Sequence, residues 1–273
     1  MRTDEVIGAE VSVGNFTAAV AVHMPAGVLA ERVGKVLGGL RGTKRHSSAS
    51  VISVTRAASA WSVAAPRVGT HRCEVEYDLP SLVEWVVVEE LRSLLESVTH
   101  LHAVAALVDG RAVVAVGPSG AGKSSLALAW SRLGFPIYGD DVVLLDATGQ
   151  LHAFPRLGKV ETALAVAHGL DPARTVDWAP GATEVWVDPV QHGGWAVPAA
   201  PALVVRAQWQ GGSNVIISPI APTALLAELP QHVMSPPTTA FWDTLSHLVS
   251  GETCTMTFTD ARAAAAALVA RMR

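Results

Sequence analysis

A lysine and a serine that follow a glycine-rich stretch form the segment of this chain best suited to chemistry. Two glycines flank four residues and precede a Lys-Ser pair, in the run Gly117-Pro118-Ser119-Gly120-Ala121-Gly122-Lys123-Ser124. This spacing matches the P-loop of nucleotide-binding proteins, in which main-chain N–H groups surround a phosphate. Lys123 then supplies a cation to the outer phosphates, and the Ser124 hydroxyl is placed to bind Mg²⁺. We therefore predict a site for ATP and Mg²⁺ here.

Such a loop needs a strand before it and a helix after it. Ala103 to Val108 and Ala112 to Val116 are valine-rich runs joined by Asp109-Gly110, a pair typical of a two-residue type I′ hairpin. Lys123 to Leu133 has helical character, and Gly134 ends it. The loop thus opens a helix, whose positive end favours phosphate. The predicted nucleotide-binding residues are Gly117, Ser119, Gly120, Ala121, Gly122, Lys123, Ser124 and Ser125.

Three ionisable side chains are predicted to meet at this loop. In the hairpin, His102 lies opposite Gly117. A strand over Phe135 to Tyr138 delivers Asp140 and Asp141 to the carboxyl edge, where α/β proteins bind ligands. Adjacent residues of an extended chain point in opposite directions, so the two carboxylates can take different tasks. We assign Asp140 as general base, Asp141 as the carboxylate on the Mg²⁺ side, and His102 as the group that orients or charge-balances Asp140.

The flanking sequence predicts two domains. Residues 1 to about 80 contain short alternating stretches broken by Gly and Pro, which indicates a small strand-rich N-terminal domain of unknown role. Residues 81–273 then form the P-loop domain. Further elements predicted there are a helix over Leu82 to Val98, a hairpin of Val142 to Leu145 with Leu151 to Phe154, a helix over Thr223 to Leu229 and a closing helix from Asp260 to Met272.

Composition limits the partners and the compartment. The chain has 273 residues, a formal charge of -4 and 16% charged residues, which argues against a protein that coats nucleic acid. Its two cysteines lie far apart without metal-ligand spacing, so we expect a reduced, cytoplasmic setting. The N-terminus lacks the apolar run of a signal peptide, and no stretch reaches the ~18 apolar residues of a membrane-spanning helix. We therefore expect no membrane partner.

Three segments together resemble the catalytic domain of HPr kinase/phosphorylase and its kinase-like relatives: Leu101 to Gly110, Gly117 to Ser125 and Gly139 to Asp146. In that family a histidine precedes the P-loop and an Asp-Asp pair follows it. The resemblance implies an α/β fold, a P-loop kinase core with a mixed sheet related to phosphoenolpyruvate carboxykinase. It also implies that Asp140 shuttles the proton of a serine hydroxyl. A homo-oligomer is compatible with it, because relatives form oligomers.

The stretch after the aspartate pair departs from the regulatory enzyme of that family. That enzyme carries Leu-Glu-Ile-Arg-Gly-Leu-Gly, whereas this chain has Phe154-Pro-Arg-Leu-Gly-Lys-Val-Glu161. The chain is more similar to divergent relatives, some of which occur with ribosomal peptide biosynthesis and phosphorylate a serine on a peptide such as a lasso precursor. In that reading Arg156 and Lys159 are candidates for stabilising the transferred charge.

Three functional hypotheses remain open from the sequence. The favoured one is an ATP- and Mg²⁺-dependent kinase that phosphorylates a serine hydroxyl of a peptide or small protein. A small-molecule kinase is the second, although such P-loop enzymes usually close an Arg-rich lid and no Arg-rich insertion follows Asp141. The third is a nucleotide-dependent switch, which needs a water-positioning group and a partner surface that the sequence does not reveal. Acceptor-dependent ATP consumption distinguishes a kinase from a switch.

Overall fold

The protein combines strands and helices in two compact units. The structure, a computed structural model, describes residues 4–14, 16–40, 49–57, 59–169, 184–188, 193–212, 214–237 and 239–273. The first unit comprises Met1–Leu95 and Lys159–Asp188, and the second comprises Glu96–Gly158 and Pro189–Arg273. The predicted mixed α/β class is confirmed. Over the described ranges, no helix combines the length and the apolar character needed to cross a bilayer.

The first unit contains a five-stranded sheet in the order β1-β2-β3-β4-β5. The pair β2/β3 is parallel and the other pairs are antiparallel. Buried apolar side chains alternate along these strands, as expected for a sheet with one face in a core. The strands are β1 (Asp4–Val13), β2 (Phe16–Pro25), β3 (Ser50–Ala57), β4 (Ala60–Ala65) and β5 (Gly69–Cys73). The predicted strand-rich character of the N-terminal region is therefore confirmed.

Helices complete the first unit. Helix α2 (Leu79–Leu94) packs on α1 (Val28–Val36) and on strands β2 and β4, and it buries Val83, Val87 and Leu91. A smaller part of the unit contains β11 (Gly158–Glu161), α4 (Thr162–Ala167) and β12 (Glu184–Val187), with β11 and β12 paired.

The division between the units differs from the boundary predicted near residue 80. Helix α2 begins at Leu79, three residues before the predicted start, with Pro80 in its first turn, where a missing N–H costs nothing. Its apolar face packs on the N-terminal sheet, so the first unit extends to Leu95. It also includes Lys159–Asp188, a segment that the sequence assigns to the P-loop domain.

The second unit is built on an eight-stranded mixed sheet with the order β10-β9-β6-β7-β13-β15-β14, in which β8 also pairs with β6. Strands β7, β13 and β15 run parallel, and the pairs that flank them are antiparallel. The strands are β6 (Thr99–Val108), β7 (Arg111–Val116), β8 (Ile137–Gly139), β9 (Val142–Leu145), β10 (Leu151–Ala153), β13 (Pro201–Trp209), β14 (Ile216–Pro219) and β15 (Glu252–Phe258).

Helices cover both faces of this sheet. Helices α3 (Lys123–Arg132) and α7 (Ala261–Met272) pack on one face, around Val104, Val113 and Val205. Helices α5 (Pro222–Glu228) and α6 (Phe241–Leu248) pack on the other. Strands covered on both faces are apolar throughout, which explains the continuous apolar runs of β6 and β7.

The hairpin that places the glycine-rich loop is confirmed. Strands β6 and β7 pair from Val108 opposite Arg111 to Ala103 opposite Val116. Asp109 and Gly110 have φ values of 48° and 79°, as a type I′ turn requires. The predicted second hairpin is also present as β9 and β10, and the closing helix begins one residue after Asp260.

Asp260 caps helix α7 and offers a test of the second unit. Its side chain accepts hydrogen bonds from the N–H groups of Arg262 and Ala263, at 2.8 and 3.2 Å. We expect Asp260→Ala to lower the free energy of unfolding by about 1 kcal/mol, because these N–H groups lose their acceptor. Asp260→Asn keeps the acceptor and should retain most of the stability. Urea unfolding measures both, and equal losses for the two variants would contradict the capping role.

Candidate functional site

The glycine-rich loop lies between the carboxyl end of β7 and the first turn of α3. Strands β7, β13 and β15 are parallel, so their carboxyl ends meet at one edge of the sheet, where ligands of α/β proteins bind. Helix α3 begins at Lys123, and its first intrahelical bond is donated by the N–H of Leu126 to the carbonyl of Gly122. The N–H groups of Lys123, Ser124 and Ser125 precede that bond and are the unsatisfied donors of a helix N-terminus.

Two glycines of the loop are required by its packing. A Cβ on Gly117 would stand 2.6 Å from the carbonyl oxygen of Ala207, in the neighbouring strand β13. Gly122 has a φ of 85°, and a Cβ there would stand 2.7 Å from the ring of Phe258, in β15. The strands beside the loop therefore leave room for backbone alone at these positions. Ser119 and Gly120, in contrast, are exposed, so the outer part of the loop is accessible.

Lys123 folds back onto the loop it follows. Its Nζ donates hydrogen bonds to the carbonyl oxygens of Gly117 and Pro118, at 2.8 and 2.9 Å. The residue is only 7% exposed, and these two carbonyls satisfy an ammonium group that would otherwise be costly to bury. Burial lowers the pKa of Lys123, and the charge of Asp141 opposes that effect. The lysine and the aspartate are thus within electrostatic range of each other.

His102 contacts Asp141, the second residue of the aspartate pair. The Nδ1 of His102 lies 3.4 Å from Oδ1 of Asp141. His102 stands opposite Val142 in the β6/β9 pair, so the residue just before Val142 is brought beside its ring. The non-local pairing of β6 with β9 therefore brings Asp141 beside the histidine. The predicted action of His102 on Asp140 stays a prediction.

Asp140 precedes Asp141 in the sequence, and its side chain is buried. It is 7% exposed, whereas the side chain of Asp141 is 38% exposed. The two carboxylates thus have different environments, although Asp140 and Asp141 lie in the bend between β8 and β9 and not in the extended strand that the sequence predicted. Whether Asp140 accepts a proton in a reaction stays a prediction.

Arg156 is brought into the site, as a partner of Asp141. Its Nη1 donates to Oδ2 of Asp141 at 2.9 Å. The loop after β10 places it there, because the N–H of Phe154 donates to the carbonyl of Tyr138 and ties that loop to β8. Arg156 has a side chain only 19% exposed, so its charge is held next to the carboxylate. Each carboxylate oxygen of Asp141 therefore lies near a nitrogen atom, Oδ1 near His102 and Oδ2 near Arg156.

Lys159 falls outside this set of contacts. It belongs to the first unit, where its Nζ lies 2.7 Å from the carboxylate of Glu184. Its predicted role in stabilising transferred charge stays a prediction.

A cavity of about 510 Å³ opens beside the loop, and it includes a histidine that the sequence analysis did not identify. The loop contributes Gly117, Pro118 and Ser119, and the opposite lining consists of His102, Gln231, His232 and Met234. The volume is within the range of small-molecule sites. His232 is distant in sequence from every motif and ends a short 3-10 helix, Leu229–His232, so only its place in the fold reveals it.

The pKa values of both cavity histidines are lowered by their surroundings. Burial, followed by the charge of Lys123, lowers the pKa of His102, and Asp141 partly opposes this. Burial, then Lys123 and His102, lowers the pKa of His232, and Glu228 opposes it. Since the ordinary value is 6.5, a lower pKa leaves each ring uncharged at neutral pH.

The residues fit Mg²⁺ by the chemistry of their donors. Ser124 is partly exposed in the first turn of α3, and Asp141 offers a half-exposed carboxylate. Mg²⁺ binds through oxygen ligands, usually one or two from protein together with phosphate and water. Within the described ranges, no group of three or more His, Cys, Asp or Glu side chains could hold a metal. Ser124 and Asp141 therefore remain the predicted Mg²⁺ residues.

Comparisons with known proteins give little further information. No family model matches the chain, and no curated protein matches it. Among solved structures, the HPr(Ser) kinase/phosphatase from Coxiella burnetii is similar over 64% of this chain and 95% of its own, with 15% identity and a TM-score of 0.31. A likeness at this level establishes neither an activity nor a substrate, and the chemistry rests on the site itself.

The charges around His102 give a test of this geometry. We expect His102 to titrate below 6.5, because burial and Lys123 disfavour its protonated form. Lys123→Met removes a positive neighbour and should raise the pKa of His102, whereas Asp141→Asn removes a negative one and should lower it. Titration of the ring resonances by NMR measures both. A shift in the same direction for the two variants would contradict the arrangement.

Proposed function

We propose that the chain is an ATP- and Mg²⁺-dependent kinase that transfers the terminal phosphoryl group to a serine hydroxyl of a peptide or small protein. The observation that carries the proposal is the loop between β7 and α3, with its two sterically required glycines and its buried lysine, beside an open cavity that includes His102. Anion binding at a helix N-terminus and a nearby pair of carboxylates are the parts that phosphoryl transfer requires.

The loop and Lys123 have the binding role in this proposal. Lys123 exchanges one or both of its carbonyl contacts, at 2.8 and 2.9 Å, for phosphate oxygens of the nucleotide. The exchange replaces neutral acceptors with charged ones, and hydrogen bonds between charged groups are stronger. The N–H groups of the first turn of α3 bind the remaining phosphate oxygens.

The carboxylates and their partners have the catalytic role. Asp140 accepts the proton of the acceptor serine as the serine oxygen attacks the terminal phosphorus atom of ATP. The bond between that phosphorus atom and the bridging oxygen breaks, and ADP leaves. Asp141, paired with His102 and Arg156, holds the Mg²⁺ side of the site together with Ser124. Mg²⁺, when bound, neutralises charge on the phosphates. Arg156, beside Asp141, is the cation proposed to stabilise the transferred charge, and the same role for Lys159 stays a prediction.

The acceptor distinguishes this proposal from the alternatives. We expect ATP consumption to rise when serine-containing peptides are added, and mass spectrometry to find the phosphate on a serine. Peptides in which that serine is replaced by alanine are the matched control. Turnover that is independent of any acceptor would favour a nucleotide-dependent switch, and phosphate on a small metabolite in place of a peptide would favour a small-molecule kinase.

Lys123 provides the test of nucleotide binding. We expect Lys123→Ala to weaken the binding of ATP with Mg²⁺ by about tenfold or more and to abolish turnover, because it removes a charged donor to the outer phosphates. Lys35→Ala, an exposed lysine in helix α1 of the first unit, is the matched control and should bind like the unaltered protein. Calorimetric titration with ATP measures both. If Lys123→Ala bound ATP with full affinity, the loop would not be part of the nucleotide site.

Different measurements distinguish the proposed roles of Asp140 and Asp141. We expect Asp140→Asn to keep nucleotide affinity and to lose phosphoryl transfer by about 100-fold or more, as for removal of a general base. Asp141→Asn should instead weaken the binding of ATP in the presence of Mg²⁺, since it removes the proposed metal-side carboxylate. Affinity with and without Mg²⁺, and single-turnover rates, provide the comparison. Retained transfer in Asp140→Asn would reject Asp140 as the base.

A further inference from the structure

His232 is held beside the P-loop by a segment that is fixed to strand β6. Leu101 and Val233 form a β-bridge, and the N–H of Met234 donates to the carbonyl of His100 at 2.8 Å. The N–H of His100 in turn donates to Oγ of Ser235 at 3.2 Å. These bonds lie immediately before His102 in the strand and immediately after His232 in the segment. Both histidines are therefore placed at the same cavity by one short stretch of pairing.

The ring of His232 is buried but faces the cavity. The residue is 8% exposed and lines the cavity together with Gly117, Pro118 and Ser119. Among the contacts found for the described residues, no side chain or carbonyl accepts from or donates to its ring. Glu228, the acidic group within its electrostatic range, is already paired with Arg206 at 2.7 Å. The ring nitrogens of His232 at this cavity are therefore available to a ligand.

The neighbours of the ring define the chemistry of that ligand. His102 lines the same cavity as His232, and the charges of Lys123 and His102 both lower the pKa of His232. Asp141, a carboxylate that acts on Lys123, is already held by Arg156 and His102. The charge of Lys123 and the N–H groups of the first turn of α3 favour an anion at this cavity, and the ring of His232 can donate a hydrogen bond to it.

We propose that His232 is a further phosphate-binding residue, which donates a hydrogen bond to the terminal phosphoryl group of the bound nucleotide and so favours triphosphates over diphosphates. This inference rests on the proposed function, because it assigns a contact within the same nucleotide site. It involves no new chemical step. The ring acts on the group that is transferred, while the P-loop N–H groups bind the rest of the phosphate chain.

A comparison of the affinities for two nucleotides distinguishes the contact of His232 from the other contacts of the site. The probes are the non-hydrolysable β,γ-imido analogue of ATP and ADP, each with Mg²⁺, titrated calorimetrically into the full chain. We expect His232→Ala to lower the preference for the analogue over ADP by about tenfold and to leave the affinity for ADP unchanged, because a hydrogen bond to a charged group is lost. Lys35→Ala, the exposed lysine in helix α1 of the first unit, is the control and should keep the preference.

The outcomes distinguish the inference from the function on which it rests. If His232→Ala keeps the preference while Lys123→Ala loses affinity for both nucleotides, the inference is overturned and the proposed function stands. If the unaltered chain binds neither nucleotide, both are overturned. If the His232→Ala variant does not fold, the inference can be tested on the unaltered chain. In NMR spectra of the unaltered chain, the His232 ring resonance should move with the analogue and not with ADP, and an equal response to both would overturn the inference.

Discussion

The turn from β7 into α3 is constrained from outside by the strands that flank it, and the site depends on that constraint. The carbonyl of Ala207 leaves no space for a side chain at Gly117, and the ring of Phe258 leaves none at Gly122. The loop must therefore pass close to β13 and β15 as bare backbone, which directs its N–H groups and the first turn of α3 toward the sheet edge. Packing of the second unit thus fixes the loop before any ligand is present.

A buried ammonium group is the second consequence of this geometry. Lys123 is held by two loop carbonyls, and without them its burial would cost several kcal/mol. The same carbonyls hold the Lys123 side chain against the loop. The loop therefore both satisfies the lysine and positions it, which explains why a charged residue is tolerated at 7% exposure.

The sequence was informative wherever the structure is local. The hairpin register follows from the Asp109-Gly110 turn, and the loop, the start of α3 and the cap at Asp260 follow from residues within one turn of each other. The partners of Asp141 could not be obtained in this way, because they depend on the pairing of β6 with β9. The same limit applies to helix α2, whose apolar face predicts burial but does not indicate which sheet it packs on. His232 lies in no motif and reaches the cavity only through the bridge between Leu101 and Val233.

Electrostatic balance explains how these groups coexist in one unit. Lys123 and Arg156 carry positive charge, and Asp141 acts on both of them. Two protonated histidines at the same cavity would add repulsion, but burial and Lys123 lower the pKa of both rings and keep them neutral near pH 7. The unit therefore avoids a large excess of positive charge when no anion is bound. An anion at the loop would reverse the balance, because its charge favours the protonated rings and turns each into a stronger hydrogen-bond donor.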